Sequence, residues 1–185
     1  MRALTGNKEV NLMLGDITLE NADALVNAAN SRLVAGGGVD GAIHDKAGPS
    51  LRDQTEEKYP EGCPVGSAVL TMGGLLPARY VIHAVAPRWL VGDDDEEELL
   101  TSAFQRALEL AADHECHSVA FPALGAGPGF DYPLPEAAKV GLRAIRDFDS
   151  PRGLPDDIRF VFHNQEDFDQ YVAAVRETDG YEIDA

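Results

Sequence analysis

Apolar and polar residues alternate from Val10 to Leu14, the period of a strand with one buried face, and Gly15-Asp16 ends the run. Ala24 to Ala28 is a short apolar run that suits a strand covered on both faces. Ser31 to Gly38 reads as a loop with three consecutive glycines, Gly36, Gly37 and Gly38. The pattern predicts a helix from near Asp40 to Ala47, stopped by Gly48-Pro49, and a second from Pro49 to about Lys58. Ala68 to Thr71 and Tyr80 to Val85 read as strands. Leu100, Ala103, Phe104, Ala107, Leu108 and Ala111 recur at helical spacing, and the acidic run Asp93 to Glu98 complements the dipole of that helix. Val119 to Phe121 is a further strand, followed by a long loop from Pro122 to Pro133. Pro135 opens a helix with Ala138, Gly141, Leu142 and Ile145 on one face. Ile158 to Phe162 is expected as the last strand and Asp167 to Arg176 as the last helix. Strands alternating with helices give an α/β layered domain with a largely internal sheet.

With 185 residues, the chain has the size of one domain, expected over residues 1–177, with a polar tail at 178–185 that frays. No apolar run reaches bilayer length, since His83 and Arg88 interrupt the best candidate. Asn7, Lys8 and Glu9 stand where the apolar stretch of a signal peptide would be. Cys63 and Cys116 cannot form a disulfide framework, so the expectation is a cytoplasmic protein with reduced thiols and no membrane partner.

Charge changes the picture more. The chain carries 32 acidic and 15 basic residues, a formal −17, which argues against nucleic acid as a partner. Such a surface suits high salt, where self-repulsion is screened, so a halophilic origin is expected to show as stability that rises toward molar salt. An anionic ligand would then be held by backbone amides rather than lysine clusters. Three segments at strand ends could supply them: residues 15–18, residues 27–40, and Gly125-Ala126-Gly127-Pro128-Gly129. Ligands of open α/β sheets bind beyond the carboxyl ends of strands, and the glycine loop at 36–38 leads into a helix N-terminus.

In these segments the chain resembles the macrodomain family, which recognises ADP-ribose. The resemblance is strongest to its MacroD-type branch, which removes mono-ADP-ribose from proteins and deacetylates O-acetyl-ADP-ribose. The matching text is Gly-Asp-Ile-Thr at 15–18, Val-Asn-Ala-Ala-Asn at 26–30, Gly-Gly-Gly-Val-Asp-Gly at 36–41 and Ile-His-Asp-Lys-Ala-Gly at 43–48. Tyr-Val-Ile-His-Ala-Val at 80–85 and Val-Ala-Phe-Pro-Ala-Leu-Gly-Ala-Gly at 119–127 follow in order. The resemblance implies a three-layer α/β/α fold with a central mixed sheet. It also implies a monomer that binds ADP-ribose and acts on ADP-ribosylated proteins or O-acetyl-ADP-ribose by metal-independent water attack, with no cofactor.

Residue roles follow from the resemblance. Asp16 would accept a hydrogen bond from the adenine amino group, with Ile17 adding a backbone amide. Asn30 would bind the distal ribose hydroxyls, its alternative being an amide that ties down its own loop. Asp40 would position or activate the attacking water, its alternative being a helix N-cap. Gly36, Gly37, Gly38 and Val39 would approach the diphosphate and distal ribose, and Gly125, Ala126, Gly127, Gly129 and Phe130 would form the second loop.

That loop departs from the family pattern. Pro128 removes an amide donor, the loop is one residue longer, and Ala126 replaces a frequent Ser or Thr. Phe130 is expected over the distal ribose in preference to Tyr132. Asn27 is read as a structural loop asparagine and His83 as a satisfied core histidine. His163 follows the last expected strand, near where the resemblance implies a residue packed against adenine. His114, Cys116 and His117 lack convincing zinc spacing, and the Ser31 to Val39 loop has neither Cys nor His. Two other functions share the motifs: a non-catalytic ADP-ribose-binding module and an ADP-ribose-1″-phosphate phosphatase.

Overall fold

The computed structural model describes residues 1–92 and 94–184; the first acidic residue of the predicted run, Asp93, lies outside the described residues, as does Ala185. Among the described residues eight strands form one sheet: β1 (Arg2–Thr5), β2 (Lys8–Leu14), β3 (Ala24–Ala28), β4 (Ala68–Met72), β5 (Tyr80–Ala84), β6 (Ser118–Phe121), β7 (Asp157–Phe162) and β8 (Glu182–Ile183). Five helices accompany them: α1 (Gly38–Ala47), α2 (Ser50–Lys58), α3 (Asp94–Asp113), α4 (Leu134–Asp147) and α5 (Gln165–Glu177). The sheet order is β4-β5-β3-β6-β7-β2-β1-β8. Its five inner strands, β5, β3, β6, β7 and β2, run parallel, while β4 and β1 pair antiparallel at the two sides.

Alternation along the parallel strands builds two cores. Val26, Ile82, Val119, Phe121 and Phe160 face the layer of α3, α4 and α5. Leu25, Val81, Ala120 and Val161, on the opposite parity, face Ile43 and Ala47 of α1 and Leu51 of α2. The result is the expected three-layer α/β/α arrangement. Gly141 lets α4 come close to α3, since a Cβ there would stand 2.5 Å from the Phe104 ring.

Three expectations need correction. The tail beyond residue 177 is paired rather than free: β8 pairs with β1, and the Tyr181 hydroxyl donates to the Leu142 carbonyl at 2.6 Å. Four-residue β1 and two-residue β8 are too short to show a period, and a partner strand, not local pattern, defines them. The acidic run is more than a dipole complement. Glu96 is buried and accepts from the N–H groups of Leu90, Val91 and Gly92 at 2.8–3.0 Å, folding the preceding loop onto α3. Finally, α1 starts at Gly38, so Asp40 sits in its first turn and is not its cap.

Candidate active site

The carboxyl ends of the five parallel strands lie along one sheet edge, and the segments singled out above emerge there. Asp16 follows β2 and Asn30 follows β3, three strand spacings apart, about 14 Å at this type of sheet spacing. The Gly15 N–H donates to the Phe162 carbonyl at 2.8 Å, which fixes the turn into Asp16. Asp16 is exposed and caps a short 3-10 turn, Ile17–Leu19. Its Oδ1 accepts from the Thr18 hydroxyl at 2.6 Å and the Thr18 N–H at 2.9 Å, and these bonds hold its pKa below the usual value. Both bonds fall on one oxygen, so Oδ2 is left for another donor.

A cleft of about 350 Å³ opens beside the ends of β3 and β5. Asn30, Gly36, Gly37 and Asp40 line one wall; Arg88, Pro128, Gly129 and Phe130 line the other. Phe130 thus faces the cleft, whereas Tyr132 is buried against Trp89 with ring centroids 4.5 Å apart. Asn30 ties down its own loop in this structure, donating to the Val34 carbonyl at 2.6 Å and accepting from the Val34 N–H at 3.3 Å.

Amides are available on both sides. Gly37 precedes α1 without any side-chain cap, and the first N–H groups of a helix have no intrahelical acceptor. In the second loop the Ala126 N–H is engaged by the Ala123 carbonyl at 3.1 Å and the Phe130 N–H by the Gly127 carbonyl at 3.1 Å. Ala126 therefore does not supply the free donor expected of it; its amide closes a turn. The N–H groups of Gly125, Gly127 and Gly129 have no protein acceptor among the described residues. Gly125 and Gly129 adopt φ of 90° and 87°, the left-handed region that glycine reaches without strain. Val39 points away from the cleft and packs against the α1-side core.

Asp40 is buried, and both carboxylate oxygens are held. Oδ2 accepts from the Gly36 N–H at 2.6 Å, reaching back before the helix as a first-turn side chain can. Oδ1 accepts from Asn27 Nδ2 at 2.6 Å and lies 3.4 Å from His44 Nε2, one turn along α1. Burial alone would raise the Asp40 pKa and is the largest influence on it. The bonds from His44, Asn27 and Gly36 together outweigh it, so the group ends below the usual carboxylate value. Gly41 permits this geometry, since a Cβ there would come 2.7 Å from the Gly36 carbonyl oxygen.

Sequence reasoning passed over His44 and Arg88. The spacing of Asp40 and His44 at i and i+4 was the available signal for the first. Nothing local marks the exposed Arg88, which reaches the cleft because β5 ends there. A larger hollow, about 520 Å³, lies on the outer side of the Ser31–Val39 loop between Arg32, Arg52, Tyr59 and Glu61. Its carboxylates, Glu56 and Glu61, are exposed, so it lacks the buried carboxylate of the cleft. Among the described residues no three His, Cys, Asp or Glu side chains converge as a metal ligand set, and no helix is long and apolar enough to cross a membrane.

A model of the macro domain family matches residues 26–141. The chain is 39% identical over 174 residues to a macro domain-containing protein of Caldanaerobacter subterraneus, covering 93% of this chain and 98% of that one. It is 41% identical over 164 residues to the O-acetyl-ADP-ribose deacetylase of Escherichia coli, covering 88% and 92%. Among solved structures, the Oceanobacillus iheyensis macrodomain with ADP superposes with a TM-score of 0.86 at 34% identity, covering 96% and 95%. Family model, relatives and architecture agree: the chain belongs to the macro domain family.

Proposed function

We propose that the protein is an ADP-ribose-binding hydrolase that deacetylates O-acetyl-ADP-ribose and removes mono-ADP-ribose from modified proteins. One observation carries this reading: a buried carboxylate, Asp40, is held as the anion at the wall of a cleft whose other wall carries Gly129, an amide with no protein acceptor among the described residues. Relatives named O-acetyl-ADP-ribose deacetylase support it, as does the ADP-bound structural neighbour.

Adenine lies at Asp16, whose free Oδ2 accepts from the exocyclic amine while Ile17 adds its amide. The diphosphate lies between the N-terminus of α1 and the amides of Gly125, Gly127 and Gly129, so a chain of charge −17 holds a dianion without lysines. The distal ribose enters the cleft under Phe130, and Asn30 exchanges its bonds to Val34 for the ribose hydroxyls.

For the acetyl ester, water adds to the carbonyl carbon, the bond to the ribose oxygen breaks, and acetate and ADP-ribose leave. Asp40 accepts a hydrogen bond from that water. With its pKa depressed it is a weak base, so it orients the nucleophile more than it removes a full proton. The proton passes to the departing ribose oxygen, by way of a substrate phosphate where that lies nearer.

The test is incubation with O-acetyl-ADP-ribose, a mono-ADP-ribosylated protein and ADP-ribose-1″-phosphate, with product analysis and no added metal. Acetate or free ADP-ribose formed at many turnovers supports the reading. Tight ADP-ribose binding with no product would leave a binding module, and release of phosphate alone would leave a phosphatase.

A further inference from the structure

Behind Asp40 a chain of polar side chains runs across the sheet face that α1 covers. Asn27 on β3 and His83 on β5 are register partners, and Thr71 on the neighbouring strand β4 shares their face. All three are buried. Asn27 Nδ2 lies 2.6 Å from Asp40 Oδ1 and 3.2 Å from His83 Nδ1, and His83 Nε2 lies 3.0 Å from Thr71 Oγ1.

The chemistry allows one pattern of protons. Asp40 is an acceptor, so the Asn27 group facing it must be the NH₂, and the amide cannot flip without setting its oxygen against a carboxylate. The second Asn27 N–H then points at His83 Nδ1, which must be the acceptor. That fixes His83 as the neutral Nε2–H tautomer, donating to the Thr71 hydroxyl. The arrangement has a cost. Among the described residues Asn27 Oδ1 is buried without a partner, which costs stability because its water is lost and nothing replaces it. A core under selection for stability alone would satisfy that oxygen or replace the amide.

We infer that Thr71, His83 and Asn27 are positioning residues: a buried relay that aims the Asn27 amide at Asp40 and so fixes the carboxylate that orients the attacking water. The inference rests on the hydrolase reading for its effect on rate, but the geometry of the relay stands apart from turnover. The charged or titratable groups that act on His83 are His44 and Asp40, both from α1; β3 and β4 supply the neutral Asn27 and Thr71. Protonation of His83 would set an N–H against the Asn27 NH₂ and release the amide. Burial opposes that protonation first, and the neighbouring His44 opposes it further, against a smaller opposite pull from Asp40.

The experiment compares wild type, His83→Leu and His83→Asn. Asparagine offers an acceptor near the place of Nδ1, and leucine offers none. Long-range ¹H–¹⁵N correlation on wild type reads the His83 tautomer, and carboxyl ¹³C titration reads Asp40 in all three chains. The expected results are the Nε2–H tautomer and an Asp40 midpoint that rises in His83→Leu and returns toward wild type in His83→Asn. The kcat for O-acetyl-ADP-ribose falls about ten- to hundredfold in His83→Leu, with ADP-ribose affinity within about threefold, and recovers in His83→Asn. An Nδ1–H tautomer, or an unchanged Asp40 midpoint in His83→Leu, overturns the relay. If His83→Leu does not fold, the wild-type tautomer and the Asp40 midpoint of His83→Asn decide. An inactive wild type counts against the hydrolase reading alone, because tautomer and titration are read without substrate.

Discussion

Replacing Asp40 with alanine removes the acceptor for three donors at once: the Gly36 N–H, one Asn27 N–H and His44 Nε2. Each donor left buried and unpaired costs about 1–3 kcal/mol, and water entering from the cleft relieves part of that. A net loss of about 1–3 kcal/mol is expected, a melting temperature lower by about 2–12 °C for a chain of this size. The rate should fall further than stability predicts, by about 10²–10⁴ in kcat, the scale of a positioned acid–base group. ADP-ribose affinity should fall much less, because Asp16 and the glycine amides remain. Differential scanning calorimetry, titration calorimetry with ADP-ribose and acetate release are measured on one preparation below its melting temperature. A variant that melts lower yet releases acetate at the wild-type rate would reduce Asp40 to an anchor for the glycine loop and refute the mechanism.

Three further outcomes are expected. Asp16→Asn keeps an oxygen for the Thr18 cap but replaces Oδ2 with a donor; ADP-ribose binding should weaken about tenfold with little change in melting temperature, and unchanged affinity by calorimetry would place adenine elsewhere. Turnover should survive EDTA, since no ligand set converges among the described residues; loss on chelation with recovery on adding a divalent metal would overturn the water-attack scheme. His83 has its pKa pushed down to about 4 from 6.5, so between those values the unfolded chain binds the extra proton. Its contribution therefore costs nothing at neutral pH and removes stability as pH falls from 6.5 to 4, by up to about 3 kcal/mol. Chemical denaturation of wild type and His83→Asn across that window should show a shallower pH slope in the variant, and equal slopes would mean His83 is not buried neutral.

The chain's local pattern determined the order of most strands and helices, because burial on one face forces a period of 2 or 3.6 that neighbouring residues display together. It also determined the glycine loops and the family motifs, since these are runs of adjacent residues; that α1 starts at an uncapped Gly38, with Asp40 inside its first turn, came from the structure. Only the tertiary structure decided the rest. The family pattern favoured Phe130 over Tyr132 for the cleft, but that Tyr132 is buried against Trp89 was decided by the tertiary structure, because a loop without periodicity does not show which side chains it buries. The tertiary structure also paired β8 with β1 across nearly the whole chain, and folded Glu96 back onto Leu90, Val91 and Gly92. Asn27 and His83 looked separately like a loop amide and a core histidine. They are 56 residues apart, and sheet register alone sets one opposite the other and beneath Asp40. Register is fixed by which faces are buried against which helices, and that information is spread over the whole chain, not held in any segment of it.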